Sequence, residues 1–123
     1  MNNLIIEKTE KTPYVNFNAE TGILELTGRS RPESSIKFYE PIEDWILEYA
    51  ENPAKKTVIS FKFDYFDTSS SKWFLTLMKH IESIYLNKND VLINWYYDDD
   101  DILEYGEEIQ DIREVPMNLI EFD

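Results

Sequence analysis

Hydrophobic and polar residues alternate over two short stretches near the start of the chain. From Tyr14 to Asn18, Val15 and Phe17 face one way while Tyr14, Asn16 and Asn18 face the other. Ile23 to Thr27 repeats the alternation. A period of two marks a half-buried strand. The link Ala19-Glu20-Thr21-Gly22 is short and ends in glycine, so the two stretches predict a β-hairpin. Gly28 to Ser35 reads as a loop in which Pro32, Ser34 and Ser35 supply turn and cap chemistry. The period then becomes helical through Ile36, Phe38, Tyr39, Ile42, Trp45, Ile46 and Tyr49. Pro41 interrupts that pattern, and proline fits the first turn of a helix but not its interior. The expectation is a short turn before Pro41 and a main helix from Pro41 to Ala50, closed by Asn52-Pro53.

Thr57 to Phe66 is β-branched and aromatic, with Ile59, Phe61, Phe63 and Tyr65 assigned to one face. Asp67-Thr68-Ser69-Ser70-Ser71 follows with several potential N-caps in succession. The helix beyond it carries Trp73, Phe74, Leu77, Ile81, Ile84 and Tyr85 on an amphipathic stripe. Asn87-Lys88-Asn89-Asp90 closes it. Val91 to Tyr97 is a strand, Asp98 to Asp101 opens a third helix with Ile102, Leu103, Tyr105, Ile109 and Ile112 inward, and Pro116 stops it. Met117 to Phe122 is a last short strand. Strands alternating with helices imply parallel pairing through right-handed crossovers. The predicted fold is α/β: an N-terminal hairpin, then alternating helices and strands, in a mixed sheet of about five strands with three main helices. The 123 residues make one domain's worth of chain, read as a single domain over 1–123.

Composition narrows the function. Twelve basic residues face twenty-five acidic ones, a net charge of −13. Such a surface repels nucleic-acid phosphates and anionic headgroups, and Arg29 with Arg31 is too small a basic patch to reverse that. No nucleic-acid or membrane partner is expected. The N-terminus lacks the pattern of a secretory signal, and no stretch approaches the roughly 20 apolar residues of a membrane span. With no cysteine, a disulfide scaffold and a thiol nucleophile are excluded, and a reducing cytoplasm is the compatible setting.

The order of elements matches the STAS fold of anti-sigma-factor antagonists. More specifically, the chain resembles the SiaC family of bacterial regulatory phosphoproteins. Three stretches carry the resemblance: Phe38-Tyr39-Glu40-Pro41-Ile42 with Trp45-Ile46; Phe61-Lys62-Phe63-Asp64-Tyr65-Phe66-Asp67-Thr68-Ser69-Ser70-Ser71-Lys72; and Asn94-Trp95-Tyr96-Tyr97 running into Asp98-Asp99-Asp100-Asp101. The resemblance implies a protein-binding module, not an enzyme. A serine/threonine kinase would phosphorylate the hydroxyl residue at a strand–helix junction, here Thr68, and a phosphatase would reverse it. The unmodified form would bind the target, for which the family's characterised branch implies a diguanylate cyclase. Asp64, Asp67, Ser69, Ser70, Ser71 and Lys72 would form the switch surface. Tyr39, Tyr65, Tyr97, Asp98, Asp99 and Asp100 would be partner contacts. The alternative is a small-ligand or nucleotide-sensing domain whose junction pocket holds an anion.

The physics of the junction agrees with the resemblance. Thr68 is expected at the N-terminus of a helix, where free N–H groups and the macrodipole favour added negative charge. Other constellations are weaker. Ser69-Ser70-Ser71-Lys72 fits the S-x-x-K of serine acyl-enzymes but lacks their further motifs. The four aspartates lack the spacing, glycine and terminal glutamate of a calcium loop, and read as an acidic first turn. His80 is the only histidine and sits at the edge of the apolar stripe, so no zinc site or catalytic triad can be built. Neither a metal nor a cofactor is expected.

Overall fold

A computed structural model describes residues 1–123. The strands are β1 (Leu4–Ile6), β2 (Tyr14–Asn18), β3 (Ile23–Ser30), β4 (Lys56–Phe66), β5 (Asp90–Tyr97) and β6 (Met117–Glu121). The helices are α1 (Ser35–Glu51), α2 (Thr68–Leu86) and α3 (Asp100–Ile112). The six strands lie in sequence order; β1–β2–β3 are antiparallel, and β3 to β6 are parallel.

The expected α/β fold with a mixed sheet and three helices is what forms, with one strand more than expected. The extra strand, β1, is three residues long, too short to display a period. Register holds it: Leu4 pairs with Phe17 and Ile6 with Val15, on the buried side. The hairpin turns where expected, with Asn18 opposite Ile23. Gly22 is obligatory there, since its φ is +74° and a Cβ would meet the Lys56 carbonyl at 2.1 Å.

Directly paired residues share a face, and the pairs Leu24–Ile59–Ile93 and Leu26–Phe61–Trp95 are all fully buried. The same face carries Val15, Phe17, Phe63, Val91 and Met117. Three right-handed crossovers between neighbouring parallel strands place all three helices on that side. Phe74, Leu77 and Ile81 of α2 and Tyr39, Ile42 and Ile46 of α1 complete the core. The opposite face of the sheet carries no helix.

Two boundaries and one burial differ from the sequence expectation. Helix α1 starts six residues before Pro41 and runs through it. Tyr39, Ile42, Ile46 and Tyr49 are buried at spacings of three and four, so packing of that stripe outweighs the roughly 3 kcal/mol a mid-helix proline costs. Strand β3 runs on to Ser30, because its edge keeps pairing with β4. Ile112, expected inward, is 68% exposed: α3 lies over β5 and the edge strand β6, and no strand beyond β6 covers its last turn.

Candidate functional site: the β4–α2 junction

The junction begins with a slip in register. Gly28 pairs with Phe63, but Arg29 pairs with Tyr65, so Asp64 is an extra residue in β4. The alternation inverts beyond it. Phe63 points inward, Tyr65 is 46% exposed, and Phe66 turns back to the core against Phe63, Phe74, Trp95 and Tyr105. The expectation that Tyr65 shares the inward face of Phe61 and Phe63 is therefore corrected: the bulge moves it outward and puts Phe66 in its place.

Asp67 ends the strand and caps α2. Its backbone is extended and its Oδ1 accepts from the Ser70 N–H at 2.8 Å and from the Ser69 hydroxyl at 3.1 Å. Partial burial alone would raise its pKa, but the hydrogen bonds from Ser70 and Ser69 outweigh that and hold the carboxyl below its usual range. Thr68 is thus the first helical residue, not the cap. It is exposed, and its hydroxyl has no hydrogen-bond partner within the protein.

Behind Thr68 lies a buried hydroxyl cluster. Ser30 Oγ is hydrogen-bonded to the Tyr39 hydroxyl and lies 2.7 Å from Ser70 Oγ, and Ser70 Oγ also donates to the Ser30 carbonyl at 3.2 Å. One proton order satisfies all three groups: Tyr39 to Ser30, Ser30 to Ser70, Ser70 to the Ser30 carbonyl. Burial pushes the Tyr39 hydroxyl far above its ordinary range, so it stays a neutral donor. The Asp67 N–H donates to the same Ser30 carbonyl at 3.0 Å. The end of β3, helix α1 and the first turn of α2 are therefore tied at one point.

This arrangement corrects two expectations. Ser70, expected on the switch surface, and Tyr39, expected as a partner contact, are both fully buried. They hold the junction from inside and do not face solvent. The signals were available. Ser30 has the parity of Leu24 and Leu26 on the inward face of β3, and Ser70 is spaced with Phe74, Leu77 and Ile81 along one helical stripe.

The acidic turn comes to the same edge. Asp99 caps α3 by accepting from the Ile102 N–H at 2.8 Å, and Asp100 and Asp101 form its acidic first turn. The Tyr105 hydroxyl donates to the Ser71 carbonyl, which joins α3 to the first turn of α2. Between them is a cavity of about 250 Å³, with Asp64, Tyr65 and Phe66 on one wall and Asp99, Asp101 and Tyr105 on the other. Asp98, Asp99 and Asp100 are exposed, and Tyr97 is half-buried. Asp64 also borders a polar cleft of about 320 Å³ with Lys8, Arg29 and Arg31, where the Arg29 guanidinium is 3.8 Å from its carboxylate. Ser69 and Lys72 are exposed, Ser71 is half-buried, and His80 bonds Glu43 at 2.9 Å. No helix is long and apolar enough to cross a membrane.

The junction sits at the end of a two-layer α/β fold, where a capped helix start presents an exposed threonine hydroxyl. Residues 6–122 match the family model of SiaC family regulatory phosphoproteins, and the chain belongs to that family. An uncharacterised protein of Pseudomonas aeruginosa (strain UCBPP-PA14) is 24% identical over 119 residues, covering 95% of this chain and 94% of the relative. The crystal structure of apo-SiaC from Pseudomonas aeruginosa superposes with a TM-score of 0.90 at 24% identity, covering 98% of this chain and 99% of that one. A SiaC chain from the crystal structure of the diguanylate cyclase SiaD in complex with its activator SiaC, from the same organism, matches with a TM-score of 0.90 at 23% identity, covering 97% and 99%.

Proposed function

We propose that this chain is a phosphorylation-switched protein-binding module, acting in the cytoplasm as a single regulatory domain, with Thr68 as the phosphoacceptor and a diguanylate cyclase as its target. The observation that carries the reading is the state of Thr68. Its hydroxyl is exposed and unbonded at the first position of α2, directly over a buried cluster that fixes the backbone beneath it. A kinase can reach it without unfolding anything. The N–H groups of Thr68 and Ser69 have no carbonyl one turn back in the helix, so they are available to a phosphate oxygen. Lys72, four residues on, lies on the same helical face and can pair with the phosphate.

The relative seen with SiaD is called its activator, and family membership supports the same kind of target here. A phosphate adds about −1.5 to −2 charge beside Asp64 and Asp67. That charge opposes an acidic or apolar partner surface, so the unmodified form binds the target and phosphorylation releases it. A serine/threonine kinase and a phosphatase set the balance. An anion-sensing role is disfavoured, because Asp64, Asp99 and Asp101 line the pocket at the junction. The test is intact-mass and peptide mapping of protein from its own host, followed by binding of both forms to one diguanylate cyclase of that host. A phosphate on Thr68 and weaker binding by the phosphoprotein are expected. Equal affinities, or no phosphate at Thr68, would overturn the reading.

A further inference from the structure

We propose that the helix-free face of the sheet receives a second copy of this chain, in a weak, reversible dimer of two-fold symmetry. The inference does not rest on the phosphoswitch reading, because this face lies across the sheet from the helices. Register sets the face out in three rows across the strands. Ile23, Val58 and Leu92 form the first row, Glu25, Ser60, Asn94 and Asn118 the second, and Thr27, Lys62, Tyr96 and Ile120 the third. Only Glu25 and Lys62 in these rows are charged, although charged residues make up 30% of the chain. Charge returns at the strand ends, where Lys56 is paired with Asp90 and Arg29 stands beside Asp64, each a pair of opposite sign. The excess behind the net charge of −13 therefore lies off this face, which is where two copies meet with least like-charge repulsion.

An apolar, aromatic and amide centre inside a charged rim is the composition of an interface core. Its side chains are already held. Asn118 donates to Asn94 at 3.2 Å, and the Lys62 ammonium lies 5.4 Å from the centre of the Tyr96 ring and 5.0 Å from that of Phe122. Side chains fixed in advance lose little freedom on association. Yet neither Lys62 nor Glu25 has an ion-pair partner within its own chain.

The placing of these two charges is what selects a second copy as the occupant. Glu25 stands opposite Ser60, and Thr27 opposite Lys62, so the four residues mark the corners of one block on β3 and β4. A two-fold axis lying between two facing sheets, along the diagonal from Ser60 to Thr27, exchanges the other two corners. Each Glu25 then meets Lys62 of the second copy, and the contact is made twice, as a two-fold interface requires. The small side chains of Ser60 and Thr27 fall on the axis, where the copies come closest. With strands about 4.8 Å apart and about 3.3 Å per residue, this axis crosses the two sets of strands at roughly 70°, toward the orthogonal class of sheet packing. Five strands of about five residues give a plane of about 400 Å² per copy, which places the dimer at the low, reversible end of specific interfaces.

The test is sedimentation velocity of the full unmodified chain from about 1 to about 500 μM at about 150 mM salt. A reversible monomer–dimer equilibrium is expected. Lys62→Glu sets carboxylate against carboxylate at both contacts and should weaken the dimer at least about tenfold. Adding Glu25→Lys rebuilds each pair with its signs exchanged and should restore association to within about threefold of the parent chain. The chain has no cysteine, so Ser60→Cys introduces a single thiol. A bismaleimide that spans the roughly 10 Å between packed sheets should join that variant to itself. The same reagent should leave Glu107→Cys, on the exposed side of α3, uncrosslinked. The thiol variants keep Lys62 and its rings, so this arm stands even where charge reversal unfolds the chain. A lone monomer up to the highest concentration overturns the proposal and hands the face to a different protein. A dimer indifferent to Lys62→Glu, a folded double variant that fails to re-associate, or cross-linking of Glu107→Cys without Ser60→Cys overturns it equally.

Discussion

The hydroxyls of Ser30 and Ser70 lie 2.7 Å apart, although forty residues separate them in the chain. The contact joins the end of β3 to the first turn of α2 inside the core, one helical step from Thr68. Removing it leaves the Ser30 hydroxyl proton, already accepting from Tyr39, short of an acceptor in a fully buried place. Ser70→Ala should cost about 1–3 kcal/mol in urea unfolding, while Ser69→Ala, on the exposed side of the same turn, should stay within about 0.5 kcal/mol.

The cap and the proposed phosphoacceptor are adjacent but separate residues, and their variants should behave differently. Asp67→Ala removes the acceptor for the Ser70 N–H and should cost about 0.5–2 kcal/mol. Thr68→Ala removes a hydroxyl with no partner and should change stability by less than about 0.5 kcal/mol. The same change should abolish labelling by the host kinase, read by phosphopeptide mass. A stable, still-labelled Thr68→Ala protein would place the acceptor elsewhere.

Gly106 tests packing against propensity. In an exposed helix, alanine in place of glycine gains about 1 kcal/mol. Here a Cβ would lie 2.4 Å from Trp95 Cδ1 and 2.7 Å from its Nε1. That indole donates to the Ile102 carbonyl at 2.8 Å, so it cannot move aside freely. Gly106→Ala should therefore destabilise by about 1–3 kcal/mol and alter the near-ultraviolet dichroism of Trp95.

Glu82 gives the acid side of the stability curve. Partial burial opposes its ionisation, but hydrogen bonds from the Glu114 and Val115 N–H groups and from Arg113 outweigh that and lower its pKa. A carboxyl depressed in the folded state contributes its full stability above its unfolded value, near 4.5, and loses it as pH falls through the folded value. Glu82→Gln should thus lower the melting temperature at pH 7, and the gap from the parent chain should close as pH falls below 4.5 and on through the depressed value.

The periods of two and of 3.6 made the hairpin, the central strand and all three helices legible, since long amphipathic runs are governed by the core they face. Thr68 at a strand–helix junction was legible too, because Asp67 and the serines are residues that open helices. What could not be read was set by contacts distant in sequence. Pro41 looked like a boundary, and only the packing of Tyr39 with Ile42 and Ile46 overrode it. β1 exists through its pairing with β2. Tyr39 looked like a spare aromatic until Ser30 and Ser70 closed around its hydroxyl. Tyr65 was assigned inward because strict alternation carries no sign of an inserted residue.

That inserted residue has a further consequence. A strand counts in twos, and Asp64 makes the count odd. Without the slip, Asp64 would face Arg29 and Tyr65 would face Ser30, so strict alternation would turn Tyr65 into the core, turn Phe66 out, and deliver Asp67 to the start of α2 half a turn out of phase. The carboxylate would then aim away from the helix it caps, and the neighbouring hydroxyl would arrive on the wrong side of the sheet. The address of Thr68 on the surface is, in this sense, a matter of parity, decided four residues upstream at a bulge in the strand.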